Sequence, residues 1–113
     1  MGRLFLWSIT GLLLGAGICA SAAPALGQSG QAIYSDKCAM CHGADGKGNG
    51  PAAVALSPSP ADFNSAAFWQ NISEAKMTDA IENGHGPMPA FDLSPSQIKS
   101  VIDYISRTFK PGS

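Results

Sequence analysis

Cys38-Ala39-Met40-Cys41-His42 sets two thiols three residues apart and puts an imidazole in the next position. On one turn of helix each thiol can add to a vinyl group on the edge of a porphyrin. The adjacent imidazole then lies under the ring, where it can bind iron, so the spacing reads as an attachment site for a c-type haem. A bare C-x-x-C is shared with redox dithiols and with half of a zinc site. His42 tilts the choice toward haem, and the compartment tilts it further.

That compartment is written at the N-terminus. Arg3 is the only charged side chain before Asp36, and Leu4 to Ile18 is an apolar run of signal-peptide length. Ala20-Ser21-Ala22 has the A-x-A form of a cleavage site, and a second cut fits after Gly27. Residues 1–27 are therefore expected to be an export signal, leaving 28–113 as one domain in the periplasm. The alternative is an uncleaved anchor, because the 20 residues from Leu4 to Ala23 just suffice to span a bilayer. Ile18 is too large to precede a lipoprotein cysteine, so Cys19 is expected to leave with the signal. Only Cys38 and Cys41 then remain, too close together to act as a structural staple.

A mature chain of about 86 to 91 residues is one small domain. A core of that size is marginal on its own, and a buried haem would supply the missing apolar volume. Without Arg3, six basic residues face eight acidic ones, with no basic patch, which excludes nucleic acid as a partner. With only 13% charged residues, docking to other proteins is expected to be weakly steered and only modestly sensitive to salt. Membrane contact is expected only transiently or through a partner, unless the N-terminal segment is retained.

Three helical segments are predicted, and no run alternates as a strand would. The first spans roughly Gly30 to Cys41. A long loop from Gly43 to Asn71 follows, with one helical turn predicted at Ala52 to Leu56, and such a loop suits wrapping a ligand. Phe63, Phe68 and Trp69 are placed as walls of that ligand site or of the core. The second helix runs from about Ser73 to Asn83, with Met77, Ala80 and Ile81 as its apolar stripe. The third begins at Ser94, with Pro95 and Gln97 completing a capping box, and buries Ile98, Val101, Ile102, Ile105 and Phe109.

The candidates for a second axial ligand are Met40, Met77, Met88 and His85. Met40 lies between the attachment cysteines and belongs to the proximal side. Met77 falls on an apolar helical stripe, where packing explains it. Met88 sits between Pro87 and Pro89, which fix φ and stiffen the loop that would present a weak thioether ligand. His85 is the rival, and would give bis-histidine ligation at a lower potential than the histidine–methionine pair. His42 needs an acceptor for its other ring nitrogen, and a carbonyl of the loop Gly48 to Pro51 is expected to serve, that of Pro51 first, with Pro51 as a plain end to the glycine-rich turn the alternative.

Cys38 to Gly43, Asp45 to Pro51, Pro60-Ala61-Asp62-Phe63, Met88-Pro89-Ala90-Phe91 and Asp103-Tyr104-Ile105 together resemble a small bacterial class I cytochrome c. The first and fourth groups are specific in combination, and the set covers nearly all of 28–113. The resemblance implies an all-α fold of three to four helices around one covalent haem c. It implies thioether links at Cys38 and Cys41 and axial ligation by His42 and Met88. It also implies a crossing of the first and last helices, with Gly30 and Tyr34 against Val101 and Tyr104. Trp69 as donor to a haem propionate is a weaker carry-over, with plain packing the alternative.

The expected function is single-electron transfer between redox partner proteins, without enzymatic activity. Alternatives are a haem-bearing subunit of a larger dehydrogenase or oxidase, a haem sensor or catalyst with a displaceable distal ligand, and a haem-free dithiol oxidoreductase. The last of these would need a βαβ pattern that is missing here.

Overall fold

The computed structural model describes residues 29–113 together with Gly11, Gly15 and Gly17. Apart from those three glycines, the predicted export signal, with its cleavage sites and Cys19, lies outside the described residues. Among the described residues no helix is long and apolar enough to cross a membrane, and the elements are all helical.

The first helix starts where Ser29 caps it, its Oγ accepting from the Ala32 amide. It runs unbroken through α1 (Gly30–Ile33), a π-helical turn (Tyr34–Cys38) and α2 (Ala39–His42). In the π turn the Ala39 amide reaches back to the Tyr34 carbonyl, which adds one residue to that turn. Gly30 and Tyr34 are buried together on the α1 side, whereas Cys38 is half-buried beyond the widened turn. Gly43, with φ +85°, stops the helix one residue after His42.

The segment predicted as one long loop has structure of its own. Ala53–Ala55 forms a single 3-10 turn where a helical turn was expected. Ala66–Asn71 forms a short helix, α3, which the sequence pattern did not announce. Six residues are too few for an apolar period to show, although Ser65, whose Oγ accepts from the Phe68 amide, is a helix-start signal in retrospect.

The helix α4 (Glu74–Asn83) is capped by Ser73 and stopped by Gly84, close to its predicted limits. The helix α5 (Pro95–Phe109) has the full capping box: Ser94 Oγ accepts from the Gln97 amide at 3.2 Å, and Gln97 Oε1 accepts from the Ser94 amide at 2.8 Å.

Helix α5 is the spine. Its buried stripe of Ile98, Val101, Ile102, Ile105 and Phe109 packs with Ile33, Tyr34, Phe63, Met77 and Ile81 into one core. The first helix crosses it at Gly30, where a Cβ would collide with the Ser100 carbonyl and come within 2.9 Å of Tyr104 Cβ. Only glycine lets the two backbones approach so closely. The crossing pairs the elements that the resemblance implied, with Tyr34 and Tyr104 rings 5.5 Å apart.

Candidate functional site

The core is hollow on one side. A cavity of about 540 Å³ opens between α2, the 56–61 loop, α4 and the loop after it. That volume lies within the range of small-molecule and cofactor sites. Cys38, Cys41 and His42 enter it from the first helix, and Met88 enters from the loop that follows α4. Its walls are largely apolar: Leu56, Pro58 and Pro60 from one loop, Met77, Ala80 and Ile81 from α4, and Phe63, Phe68 and Phe91. The predicted stripe of α4 therefore faces the cavity as well as the core.

His42 is held in one orientation. Its Nδ1 lies 3.1 Å from the Ala61 carbonyl oxygen. A carbonyl only accepts, so Nδ1 carries the proton and Nε2 keeps the lone pair that a metal needs. The ring also stacks on Phe63, with centroids 4.5 Å apart and planes 19° from parallel. Burial holds the imidazole below its ordinary value, opposed by the weaker effect of the Ala61 hydrogen bond, so the ring is neutral near pH 7.

The acceptor is thus Ala61 and not the expected Pro51. The 48–51 stretch is occupied elsewhere: the Gly48 amide donates to the His42 carbonyl at 2.7 Å and the Gly50 amide to that of Cys41 at 3.0 Å. Glycine at position 50 allows that approach, since a Cβ there would strike the Met40 carbonyl. The later limb of the loop is tied back by the Phe63 amide on the Gly46 carbonyl (2.7 Å) and by Asn64 Nδ2 on the Asp45 carbonyl (2.8 Å). Those ties carry Ala61 to the ring. A backbone acceptor has no residue-type signature, so only the Pro60-Ala61-Asp62-Phe63 group hinted at this limb.

Trp69 does not extend its indole to the cavity. Its Nε1 donates to the Phe63 carbonyl at 2.8 Å, which is the packing alternative. Met40 is 60% exposed and, like Trp69, contributes nothing to the cavity wall. Met77 is buried in the core and lines the cavity too.

The Met88 loop is rigid at both ends. The His85 and Met88 backbones exchange reciprocal hydrogen bonds of 3.0 and 2.9 Å, and the Phe91 amide donates to the Ile81 carbonyl at 2.8 Å. Gly84, at φ +79°, makes the turn into the loop, where a Cβ would lie 2.8 Å from the Met88 carbonyl oxygen. His85 lines the same cavity.

Cys38 and Cys41 are free thiols. Burial pushes the Cys38 thiol up to about 11, with the neighbouring Lys37 pulling the other way. Among the described residues no cluster of three or more His, Cys, Asp or Glu side chains is arranged for a metal ion. Two unbridged thiols, a neutral imidazole with a fixed tautomer, a thioether and apolar walls together suit a covalently bound haem.

An all-helical shell closed around a cavity lined by Cys38, Cys41 and His42 defines a c-type cytochrome. The chain belongs to the family described as cytochrome C oxidase, cbb3-type, subunit III, whose model matches residues 25–105. No curated protein matches it. Among solved structures it is similar to the KustC0563 c-type cytochrome, at 26% identity and a TM-score of 0.63 over 74% of this chain and 99% of that one. It is also similar to the Kuenenia stuttgartiensis reducing HAO-like protein complex Kustc0457/Kustc0458, at 21% identity and a TM-score of 0.58 over 73% of this chain and 42% of that chain. The second likeness concerns the fold alone. Family membership brings with it covalently bound haem c and a role in electron transfer.

Proposed function

We propose that the chain is a periplasmic single-electron carrier holding one haem c, attached through Cys38 and Cys41 and ligated by His42 and Met88. The observation that carries this reading is the convergence of those four side chains on one apolar cavity. When bound, the haem supplies reversible one-electron chemistry at iron. The protein's own residues do the rest. Ala61 and Phe63 orient the His42 ring. Pro87, Pro89 and the His85–Met88 backbone pair stiffen the loop that presents the thioether. Phe63, Phe91 and Ile105 keep water from the cavity and disfavour the more charged ferric state.

Haem staining after denaturing electrophoresis tests covalent attachment, and colour lost on denaturing extraction would sink it. Met88→Ala is expected to abolish the ferric thioether-to-iron absorption and lower the midpoint potential, while His85→Ala leaves both in place. Wild-type protein that lacks this absorption, with a low-potential spectrum altered by His85→Ala and not by Met88→Ala, would establish bis-histidine ligation. A resting spectrum unchanged by either substitution would mark an open site, as in a sensor or catalyst.

The family description favours a second reading, a haem-bearing subunit of a larger oxidase or related complex. Purification from native membranes separates the two: a carrier elutes alone, whereas a subunit comes away with its complex.

A further inference from the structure

Among the described residues the cavity wall carries three plainly charged side chains, Lys37, Lys76 and Asp79. A haem carries two propionate carboxylates, on an edge other than the one bearing its vinyl groups. Lys37 directly precedes Cys38 and so belongs with the attached edge, and its ammonium lies 3.7 Å from the Asp36 carboxylate. Lys76 comes from α4, an element that supplies no attachment residue. Among the described residues it forms no ion pair, since the two present are Lys37–Asp36 and Lys99–Asp103.

Its position on the helix is unusual in charge. Ser73 Oγ accepts from the Lys76 amide at 3.1 Å, which puts Lys76 in the first turn of α4. There the helix dipole is positive and disfavours a cation. Glu74, in the same turn, offsets part of that penalty, and an anion held at the cavity rim beside the ammonium would offset more. Asp79, the carboxylate that α4 sets along the cavity, accepts from Asn83 Nδ2 at 2.7 Å.

We propose that Lys76 is the cationic partner of a haem propionate and holds the reduction potential up by neutralising that carboxylate. The proposal rests on the cavity being the haem pocket. A positive charge near the haem favours the ferrous form, which carries one positive charge fewer. Lys76 is exposed, so water and salt screen the effect and it is modest.

The test is equilibrium redox titration of holoprotein at low salt, with wild type, Lys76→Gln, Lys76→Arg and Lys99→Gln. Lys99 is the control: it sits on α5, pairs with Asp103 at 3.3 Å and does not line the cavity. Lys76→Gln is expected to lower the ferrous-to-ferric ratio at fixed ambient potential about threefold, or ~30 mV at ~59 mV per decade for one electron. Lys76→Arg keeps the wild-type value, as does Lys99→Gln. The propionate-bending bands of the resonance Raman spectrum should shift in Lys76→Gln alone. A Lys76→Gln protein with wild-type potential and wild-type bands would overturn the proposal. So would equal drops in Lys76→Gln and Lys99→Gln with unmoved bands, since these mark a general surface-charge effect. A chain that takes up no covalent haem is recognised before titration by its lack of haem absorption, and overturns the functional reading along with this one.

Discussion

Tyr34 donates its hydroxyl to the Gly43 carbonyl at 2.7 Å and is only 1% exposed. That bond ties the π turn to the residue that ends the helix just after His42. The ring packs against Tyr104 and Phe109, with centroids 5.5 and 5.3 Å away. Burial pushes the phenol well above its ordinary value. A folded-state value raised above the unfolded ~10 contributes stability that is fully present below pH ~10 and is lost as pH rises beyond it. Tyr34→Phe leaves the Gly43 carbonyl without its donor and should cost about 1–3 kcal/mol at pH 7. It should also flatten the alkaline decline, as denaturant melts at pH 7 and above pH 10 would show. Equal declines in wild type and variant would assign that decline to other groups. At this scale Cys38, Cys41, His42 and Met88 could be singled out because their side chains carry distinctive chemistry, and all four line the cavity. The Ala61 carbonyl was not, because every residue carries one.

Helices α1 and α5 meet at a point where one atom decides the approach. Alanine at position 30 would gain about 1 kcal/mol of helix propensity over glycine. Its Cβ, however, would meet the Ser100 carbonyl and lie 2.9 Å from Tyr104 Cβ, and neither backbone can yield without moving a whole helix. Gly30→Ala is therefore expected to destabilise by about 1–3 kcal/mol net, read as a lower denaturation midpoint. A midpoint at or above wild type would mean the helices separate freely there. Helices α4 and α5 were legible from Ser73, Gly84, Ser94 and Pro95, whose capping roles are local. The π turn was not, because an i→i+5 hydrogen bond leaves no composition signal, and α3 was too short to show a period.

For the molecule as a whole, a cavity of about 540 Å³ in so small a domain is a large fraction of the interior. Without a haem its apolar walls face solvent or each other, and a core of this size has little stability to spare. A ligand that binds only the folded state stabilises it by mass action, and covalent attachment makes that coupling permanent. The Cys38→Ser, Cys41→Ser chain, produced without attached haem, should lose its cooperative melting transition and much of its helical circular dichroism. Retention of wild-type helicity and melting would show that the ten buried side chains of the core suffice alone.

Contiguous residues by themselves determined the C-x-x-C-H pattern of Cys38 to His42, the ends of α4 and α5, and the apolar stripe that α5 buries. Each depends on neighbours within one or two turns, so the information is local. The tertiary structure decided which carbonyl orients His42, where the Trp69 indole N–H goes, and that Lys76 stands at the cavity rim. The His42–Ala61 contact spans 19 residues of glycine- and proline-rich chain without apolar periodicity. The path of such a segment is set by what it packs against, and that exists only once the helices have met.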